Sequence, residues 1–500
     1  MKNKLNYLLC VLALLADTSL RAGVIFTNVV FFTGANPPNY GWMAGSESHT
    51  SALVVGNDGN LYGTTAGGGL TNILGNGYVI DYGTVFKLTP NNSFSTIYFF
   101  GSLQDNNYDA LDGMAPQGNL FKGKDGNLYG TTYDDGYGGG NGTIFKLTTN
   151  GVLTTLYSFT NDGPSGEFYG RLPAAGVTQG SDGNLYGTTT SYGTGQEGTL
   201  YQLTPDGTMN VLYEFPALYE PGFPGVINPE YSAVGGMPEA ELTEGPDGNF
   251  YGTSSTGGSN YDGTLFRITT KGELTVLAEF DNTGGTPRAP LLVGKDNYLY
   301  GATTWSSTYP YSGNIFRITT NGVMTILHAN GGSTAGLIQG SDGNLYGTSQ
   351  DWAVNGVYYG SVFQLTTNGV MTTLHYFDGA DGLSPAGALV QAPDGSFYGT
   401  TTYGGNGFNP ASPGNGSGYG TIYRIIIPPA FQSITPTNGG VALTWSVMPG
   451  QTCQLQYNKD LTSTNWINLG ASFTATNPVA SFIDQPGADA QRYYRIWLKP

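Results

Sequence analysis

Short apolar stretches separated by polar turns recur along most of this chain. Each unit begins with an apolar stretch such as 52–55, followed by a turn centred on Asp-Gly and a Leu-Tyr-Gly-Thr-Thr stretch. A variable loop then leads to two further stretches, which are joined by a turn of the Asn-Gly type. Stretches of this length, rich in aromatic and β-branched residues and bounded by Gly, Asn and Asp, predict β-strands and tight hairpins. Each unit is therefore predicted to form four antiparallel strands.

The unit occurs seven times. The marker Asp-Gly-Asn-Leu-Tyr-Gly-Thr, intact or altered, begins at Asp58, Asp125, Asp182, Asp247, Asp296, Asp342 and Asp394. A second marker, resembling Gly-Thr-Ile-Phe-Lys-Leu-Thr, begins at Gly83, Gly142, Gly198, Gly263, Gly313, Gly360 and Gly420. Seven repeats of four antiparallel strands are typical of a β-propeller. We therefore predict an all-β fold, a seven-bladed β-propeller of four-stranded antiparallel blades.

The two ends of the repeated region complement each other. Residues 27–32 resemble a fourth strand that lacks the three strands before it, whereas the last copy ends at Pro428 without a fourth strand. We expect the N-terminal strand to pair beside residues 421–426, complete the seventh blade and close the ring, which would leave no unpaired edge there. An open solenoid is the alternative, and it would not require complementary ends.

Segments outside the repeat predict two further parts. Residues 1–22 combine Lys2 and Lys4 with a short apolar core, a pattern typical of a secretory signal peptide. The propeller is then expected over 23–427. The alternating strands that follow predict a small β-sandwich over 428–500. No second apolar segment of about 20 residues is present, so no membrane span is predicted after signal cleavage.

Composition and charge narrow the classes of partner. The 79 glycines and the 13% of aromatic residues fit a turn-rich β protein. A formal net charge of −17 repels nucleic acid and anionic membranes. Cys453 is the only cysteine outside the predicted signal peptide, which excludes an internal disulfide and a cysteine metal site. We expect a monomer without a cofactor; loop Asp and carbonyl oxygens would suit Ca²⁺, but no Asp-rich calcium loop is evident.

The repeated unit also resembles a known family. Gly-Ser-Asp-Gly-Asn-Leu-Tyr-Gly-Thr-Thr, followed by Gly-Thr-Leu-Phe-Arg-Ile-Thr and Leu-Tyr-Glu-Phe, is similar to the GloVer tandem repeat of exported bacterial "choice-of-anchor" proteins. The resemblance covers about residues 23–427. It implies an exported propeller and no particular activity. The last 70 residues resemble the fibronectin-III-like modules of exported bacterial proteins.

Polar residues that recur in every copy are interpreted as scaffold, so candidates for a site are residues that break the repeat. The variable loops lie on the face opposite the Asp-Gly turns, and loops on a rigid ring are where function is usually located. The candidates for ligand binding are Trp305, Trp352, Tyr137, Tyr219, Arg171, Arg288, Asp134 and Asp135. No Ser-His-Asp, Cys-His or metal-ligating His cluster can be assembled, so no catalytic residue is assigned.

Three functions remain open from the sequence. Aromatic faces beside Asp, Asn and Arg suit sugars, which favours a non-catalytic exported protein that binds a glycan or a cell-surface partner. A polysaccharide-active hydrolase or lyase is the alternative, and it would need two carboxylates across a sugar bond. Asp134 or Asp135, together with Glu197 or Asp262, could supply them. The third possibility is a structural surface protein that attaches through its C-terminal sandwich.

Overall fold

The structure is a computed structural model, and every structural statement below concerns the residues that it describes. Those residues are 23–32, 52–73, 79–104, 110–134, 141–159, 170–191, 197–217, 233–281, 285–304, 313–329, 331, 335–350, 353–354, 357–385, 387–410, 417–487, 489 and 491–499.

All regular elements in these residues are β-strands. In the repeated region they are β1 (Ile25–Phe31), β2 (Val54–Val55), β3 (Leu61–Thr65), β4 (Thr71–Ile73), β5 (Val79–Asp81), β6 (Thr84–Leu88), β7 (Phe94–Phe99), β8 (Phe121–Lys122), β9 (Leu128–Thr132), β10 (Thr143–Leu147), β11 (Leu153–Ser158), β12 (Thr178–Gln179), β13 (Leu185–Thr189), β14 (Thr199–Leu203), β15 (Met209–Glu214), β16 (Thr243–Glu244), β17 (Phe250–Ser254), β18 (Thr264–Ile268), β19 (Leu274–Glu279), β20 (Thr286–Pro287), β21 (Leu292–Val293), β22 (Leu299–Thr304), β23 (Ile315–Ile318), β24 (Met324–His328), β25 (Ile338–Gln339), β26 (Leu345–Ser349), β27 (Ala353–Val354), β28 (Val357–Tyr358), β29 (Ser361–Leu365), β30 (Met371–Tyr376), β31 (Val390–Gln391), β32 (Phe397–Thr401) and β33 (Thr421–Ile426).

These strands form seven similar antiparallel sheets within the described residues. In strand order they are β2-β3-β6-β7, β8-β9-β10-β11, β12-β13-β14-β15, β16-β17-β18-β19, β21-β22-β23-β24 with β20 also on β22, β25-β26-β29-β30 and β31-β32-β33-β1. We number them as the first to the seventh sheet. Two small hairpins, β4-β5 and β27-β28, lie in loops. The predicted four-strand unit is thus observed in each copy.

The N-terminal strand lies where the sequence predicted it. Strand β1 pairs antiparallel with β33, with Ile25 opposite Ile426 and Phe31 opposite Thr421. The amide of Phe32 also donates to the carbonyl of Gly420 at 3.1 Å. The fourth strand of the seventh sheet therefore comes from the other end of the repeated region.

The repeated Asp residues hold the turn between the first two strands of a sheet. In six sheets the Asp carboxylate accepts a hydrogen bond of 2.6–2.9 Å from the hydroxyl of the Tyr four residues later. In the third sheet, for example, Asp182 also accepts from the Asn184 amide and from the Asn184 side chain. In the seventh sheet Asp394 instead pairs with Arg424 at 2.6 Å. The interpretation of these Asp residues as hairpin scaffold is confirmed by these contacts.

Apolar clusters join neighbouring sheets. Each pair of consecutive sheets shares one cluster of buried side chains. A further cluster joins the seventh sheet to the first, with Val30, Phe32 and Ile422 against Leu53 and Phe86. Burial of such side chains is the main favourable contribution to folding, so packing between sheets stabilises the repeated region.

A separate pair of sheets follows the repeats. Their strands are β34 (Ala430–Thr437), β35 (Gly440–Ser446), β36 (Thr452–Asn458), β37 (Ile467–Asn468), β38 (Phe473–Thr474), β39 (Val479–Asp484) and β40 (Tyr493–Leu498). One sheet is β34-β35-β39, and in the other β36 pairs with β37, β38 and β40. They enclose a core around Trp445 and Leu455. The loop between β35 and β36 contacts the repeats, because Met448 is buried in the cluster between the sixth and seventh sheets.

Candidate functional site

A Pro-containing turn positions the start of the first strand in several sheets. In the fourth sheet, Met237 has a φ of 49° and donates its amide to the carbonyl of Glu197 in the preceding sheet at 2.8 Å. The next residue, Pro238, packs against Gly198, where a Cβ would lie 3.0 Å from the proline Cδ. The same Gly-x-x-Pro arrangement recurs at Gly113–Pro116, Gly170–Pro173 and Gly382–Pro385, each with a positive φ before the proline. This turn fixes the backbone position of the residues that lead into the first strand.

The residues after this turn differ from sheet to sheet. The residue directly after the proline is Glu239 in the fourth sheet, and Gln117, Ala174 or Arg288 in the second, third or fifth. The third residue after the proline is Glu241 in the fourth sheet. The equivalent residue in the other sheets is Ala52, Asn119, Gly176, Pro290, Gly336 or Ala388. Polar side chains are thus concentrated in the second, fourth and fifth sheets. We call Asn119, Glu239, Glu241, Ser255 and Arg288 the first-strand cluster.

Glu239 and Arg288 form one half of the cluster. Glu239 Oε2 lies 3.3 Å from Arg288 Nη1, and the Glu239 side chain is 15% exposed while that of Arg288 is 40% exposed. Ser255 donates its hydroxyl to Glu239 Oε1 at 3.3 Å. Glu239 Oε2 is buried and makes no hydrogen bond to any described residue. The ion pair therefore leaves a carboxylate oxygen that can still accept a hydrogen bond.

Glu241 and Asn119 form the other half of the first-strand cluster. The Glu241 carboxyl lies against Gly176 of the third sheet, where a Cβ would be 2.5 Å from Glu241 Oε1. Burial raises the pKa of Glu241 to about 7, and the nearby amide groups of Asn119 and Gly176 act in the opposite direction. Glu241 Oε1 is buried and has no hydrogen-bond partner in the described part of the chain. Asn119 Oδ1 in turn accepts from the amide of Ala52 at 2.5 Å.

Two of the predicted site residues lie at or near this cluster. Arg288 belongs to it. Asp134 pairs its backbone with Met114 and is next to Tyr133. Burial, followed by the negative charges of Asp134 and Glu239, raises the pKa of Tyr133, so that hydroxyl lies near both carboxylates.

The role of the other predicted residues stays a prediction. Arg171 pairs its backbone with Ser191, one sheet away from Glu239. Trp305, Trp352, Tyr137, Tyr219 and Asp135 lie outside the described residues, so their role stays a prediction.

Two of the proposed loop carboxylates, Asp262 and Glu197, have described surroundings. The pKa of Asp262 is raised by burial and by the charge of Asp281. The Glu197 carboxylate lies by Gly236, where a Cβ would be 2.9 Å from its Oε2. Among the described residues no group of three His, Cys, Asp or Glu side chains is arranged to hold a metal ion.

Sequence reasoning missed Asn119, Glu239 and Glu241. Their signal was present, because aligning the seven first strands position by position shows acidic and amide residues where other copies have Ala, Gly or Pro. Most candidates were taken from long loops, whereas these residues, like the candidates Arg171 and Arg288, lie shortly before short strands. Their convergence from the second and fourth sheets requires the three-dimensional structure.

The repeated four-stranded sheets define a propeller-like tandem-repeat protein. The model of the Gloeobacter/Verrucomicrobia repeat matches residues 39–228 and 237–444. The chain therefore belongs to this repeat family, which confirms the resemblance seen in the repeated unit. The fibronectin-III-like assignment of residues 428–500 stays a prediction.

Similarity to other known proteins is low. No curated protein matches the sequence. Similar solved structures include a Xanthomonas campestris gluconolactonase, with 13% identity, a TM-score of 0.32 and coverage of 57% of this chain and 79% of that chain. A putative glucose dehydrogenase from Thermus thermophilus has 17% identity, a TM-score of 0.35 and coverage of 81% and 100%. A puromycin-hydrolyzing peptidase of Mycobacterium tuberculosis has 12% identity, a TM-score of 0.43 and coverage of 82% and 61%.

These similarities are too low to carry an argument about activity. A search for membrane-spanning segments found no helix of sufficient length and apolarity among the residues that the structure describes.

Proposed function

We propose that this protein is an exported, non-catalytic binding protein that contacts a glycan or a glycan-bearing cell surface. Its scaffold is a closed seven-bladed β-propeller, in which β1 completes the seventh blade. The cluster shared by the seventh and first sheets supports closure. The signal-like N-terminus supports export to the cell surface or the medium.

One observation carries the assignment of the site. Glu239 Oε2 faces only the Arg288 cation and Glu241 Oε1 lies near the amides of Asn119 and Gly176, and neither buried oxygen has a hydrogen-bond partner among the described residues. A buried polar group without a partner costs about 1–3 kcal/mol, so a ligand that donates hydrogen bonds there recovers this energy. Sugar hydroxyls are such donors, and the half-exposed Arg288 supplies donors for the acceptor oxygens of the same ligand.

A glycan array with the purified protein tests this proposal. We expect binding to at least one glycan, and a loss of affinity of about tenfold in Glu239→Gln and Glu241→Gln, because each removes a charged acceptor. Glu273→Gln, on an exposed turn of the same sheet, is the matched control and should bind like the wild type. Absence of binding, or an equal loss in the control, would overturn the proposal.

One observation favours an enzyme as a second candidate. Glu241, with its pKa of about 7, is half protonated at neutral pH, while Glu239 faces the cation of Arg288. Two carboxyl groups in such different surroundings are suited to acid and base roles. A polysaccharide-active hydrolase or lyase would then use Glu241 as the proton donor.

Turnover distinguishes the two candidates. The protein would be incubated with neutral and acidic polysaccharides, and new reducing ends or unsaturated sugars would be measured. An enzyme is expected to lose activity as the pH rises above 7 and in Glu241→Gln. Glycan binding without turnover supports the binding protein and excludes the enzyme.

A further inference from the structure

The outer face of one C-terminal sheet carries a row of aromatic and basic side chains. Side chains alternate between the two faces of a strand. In β40, Tyr494, Ile496 and Leu498 pack into the core, so Arg495 and Trp497 lie on the outer face. Tyr493 and Lys499 continue this row at each end of the strand.

The neighbouring strands extend this face. Gln456 of β36 lies opposite both Arg495 and Asn468. Residues directly opposite one another share a face of the sheet, so Asn468 belongs to the outer face. Trp466, two residues earlier, lies on the same side. We call Trp466, Asn468, Tyr493, Arg495, Trp497 and Lys499 the basic aromatic platform.

Arg495 is held in place on this platform. Its Nε donates to Gln456 Oε1 at 2.7 Å, and its guanidinium carbon lies 4.3 Å from the centroid of the Trp466 ring. Gln456 in turn donates to Asn468 Oδ1 at 2.8 Å. Arg495 nevertheless stays exposed, which leaves its terminal N–H groups available. A fixed guanidinium of this kind suits two-point binding of a carboxylate.

Trp497 provides an apolar surface beside this cation. Its side chain is 46% exposed, and Lys499 Nζ lies 5.9 Å from its ring centroid. Because Trp497 and Arg495 are two residues apart on one strand, they are about 7 Å apart along the face. Aromatic and cationic side chains thus alternate along β40 at the edge of the sheet.

The charges of this module set it apart from the repeats. Residues 428–500 contain four Lys or Arg and three Asp or Glu, whereas the whole chain has a net charge of −17. Lys459 and Arg492 pair with acids. Arg495 and Lys499 form no ion pair within the described residues. Unpaired positive charge is therefore located on the platform.

We propose that the basic aromatic platform binds a carboxylated polysaccharide, a polyuronate. In such a chain each ring offers an apolar face for Trp497, and carboxylates recur along the chain for Arg495 and Lys499. Aromatic rings contribute contact area at low entropic cost, and the charge-assisted hydrogen bonds give selectivity for acid groups. This surface is separate from the first-strand cluster and does not depend on it.

Other polyanions fit the platform less well. Duplex nucleic acid carries one charge per about 1.7 Å, which two cations on a protein of net charge −17 do not offset. An anionic membrane would also attract the platform through its cations and Trp497. The net charge opposes every polyanion alike, and the polyuronate is favoured because its apolar ring faces and carboxylates match the neighbouring Trp497 and Arg495. Both are separate outcomes of the experiment below.

The test measures binding of the purified full-length protein to polygalacturonate by affinity electrophoresis at low ionic strength. Carboxyl-reduced polygalacturonate is the neutral counterpart. The variants are Arg495→Gln, Lys499→Gln and Trp497→Ala. Lys271→Gln removes an equal charge from an exposed turn of the fourth sheet and serves as the matched control. Thermal unfolding of every variant verifies that it is folded.

We expect the wild type and Lys271→Gln to bind polygalacturonate and not its neutral counterpart. Arg495→Gln and Trp497→Ala should each lower the affinity about tenfold, and Lys499→Gln by less, because Lys499 lies at the end of the row. Equal binding to the neutral polymer, undiminished binding in folded Arg495→Gln and Trp497→Ala, or no binding would overturn the proposal. Binding only to anionic vesicles or to DNA would overturn it as well.

Discussion

Carboxylates in two regions of the repeated sheets have opposite surroundings. In the hairpins, burial tends to raise the pKa of Asp182, but the hydrogen bonds from Tyr186 and Asn184 outweigh it and lower the pKa. In the first-strand cluster, burial outweighs the amide groups of Asn119 and Gly176 and raises the pKa of Glu241 to about 7, and its buried Oε1 has no hydrogen-bond partner among the described residues. Hydrogen bonds outweigh burial at the hairpin carboxylate, whereas burial outweighs the nearby amide donors at Glu241.

The difference follows from repetition. A residue that occurs in every copy can be supplied with donors by the copy itself, because Tyr follows each Asp by four residues and Asn follows five of the seven by two. A residue that occurs in one copy depends on neighbours from other copies, as Glu241 depends on Gly176 and Asn119. Polar groups that occur in every copy therefore stabilise the scaffold. Polar groups that occur in one copy are those to which a ligand can donate hydrogen bonds.

The largest expected effect comes from removing the strand that links both ends of the scaffold. Deletion of residues 23–32 removes β1 and the buried Val30 and Phe32 from the cluster between the seventh and first sheets. It also exposes the backbone edge of β33 to aggregation. We expect loss of the cooperative thermal transition and aggregation in size-exclusion chromatography.

A peptide of residues 23–32, added in trans, is the control for this deletion. It should restore at least part of the thermal transition, because it can pair with β33 as β1 does. A truncated protein that keeps the melting temperature of the wild type would show that the scaffold does not need β1.

A smaller loss is expected from a single hairpin. Asp182→Ala removes the acceptor of the buried Tyr186 hydroxyl and of the Asn184 amide. We expect a loss of about 2 kcal/mol in the free energy of unfolding, because a buried donor is left unsatisfied. Denaturant unfolding measures it.

Asp394→Ala provides the comparison for this variant. The hydrogen bonds of Asp394 in the described structure include no bond from Tyr398, and its ion pair with Arg424 is half exposed. Exposed ion pairs contribute about 0–1 kcal/mol, so Asp394→Ala should be the milder change. Equal losses in the two variants would contradict the structural role assigned to the Asp–Tyr hydrogen bond.

Sequence reasoning was most successful where the repeat carries the information. The Asp-Gly turns and the strands after them follow from local residue preferences, and the position of β1 follows from counting strands. The first-strand cluster was not predictable in this way, because Glu239 and Glu241 appear in one copy and acquire partners only through sheet-to-sheet packing. The basic aromatic platform likewise depends on register, since Arg495 lies opposite Gln456 only in the folded sheet.

The effect expected from Glu241 is similar in size to that of Asp182 and has the opposite sign. Its folded pKa of about 7 exceeds the ordinary value of 4.5, so the folded state holds the proton more tightly than the unfolded state. The stability is therefore full below about pH 4.5, decreases as the pH rises to 7, and is constant above that. Each unit of pKa difference corresponds to about 1.4 kcal/mol, and the partial exposure of the side chain reduces the total to about 2 kcal/mol. Glu241→Gln should abolish this decrease, so that the variant equals the wild type at about pH 4.5 and is more stable at about pH 8.

The measurement is the difference in free energy of unfolding between wild type and Glu241→Gln across this pH range. Glu273→Gln, on an exposed turn of the same sheet, should show no such difference. If Glu241→Gln destabilises the protein at the alkaline end of the range, the carboxylate has partners that stabilise it, and the contrast with the hairpin Asp residues disappears. If the variant is more stable there and also loses glycan binding, the Glu241 carboxylate lowers the stability of the free protein and the ligand interacts favourably with it.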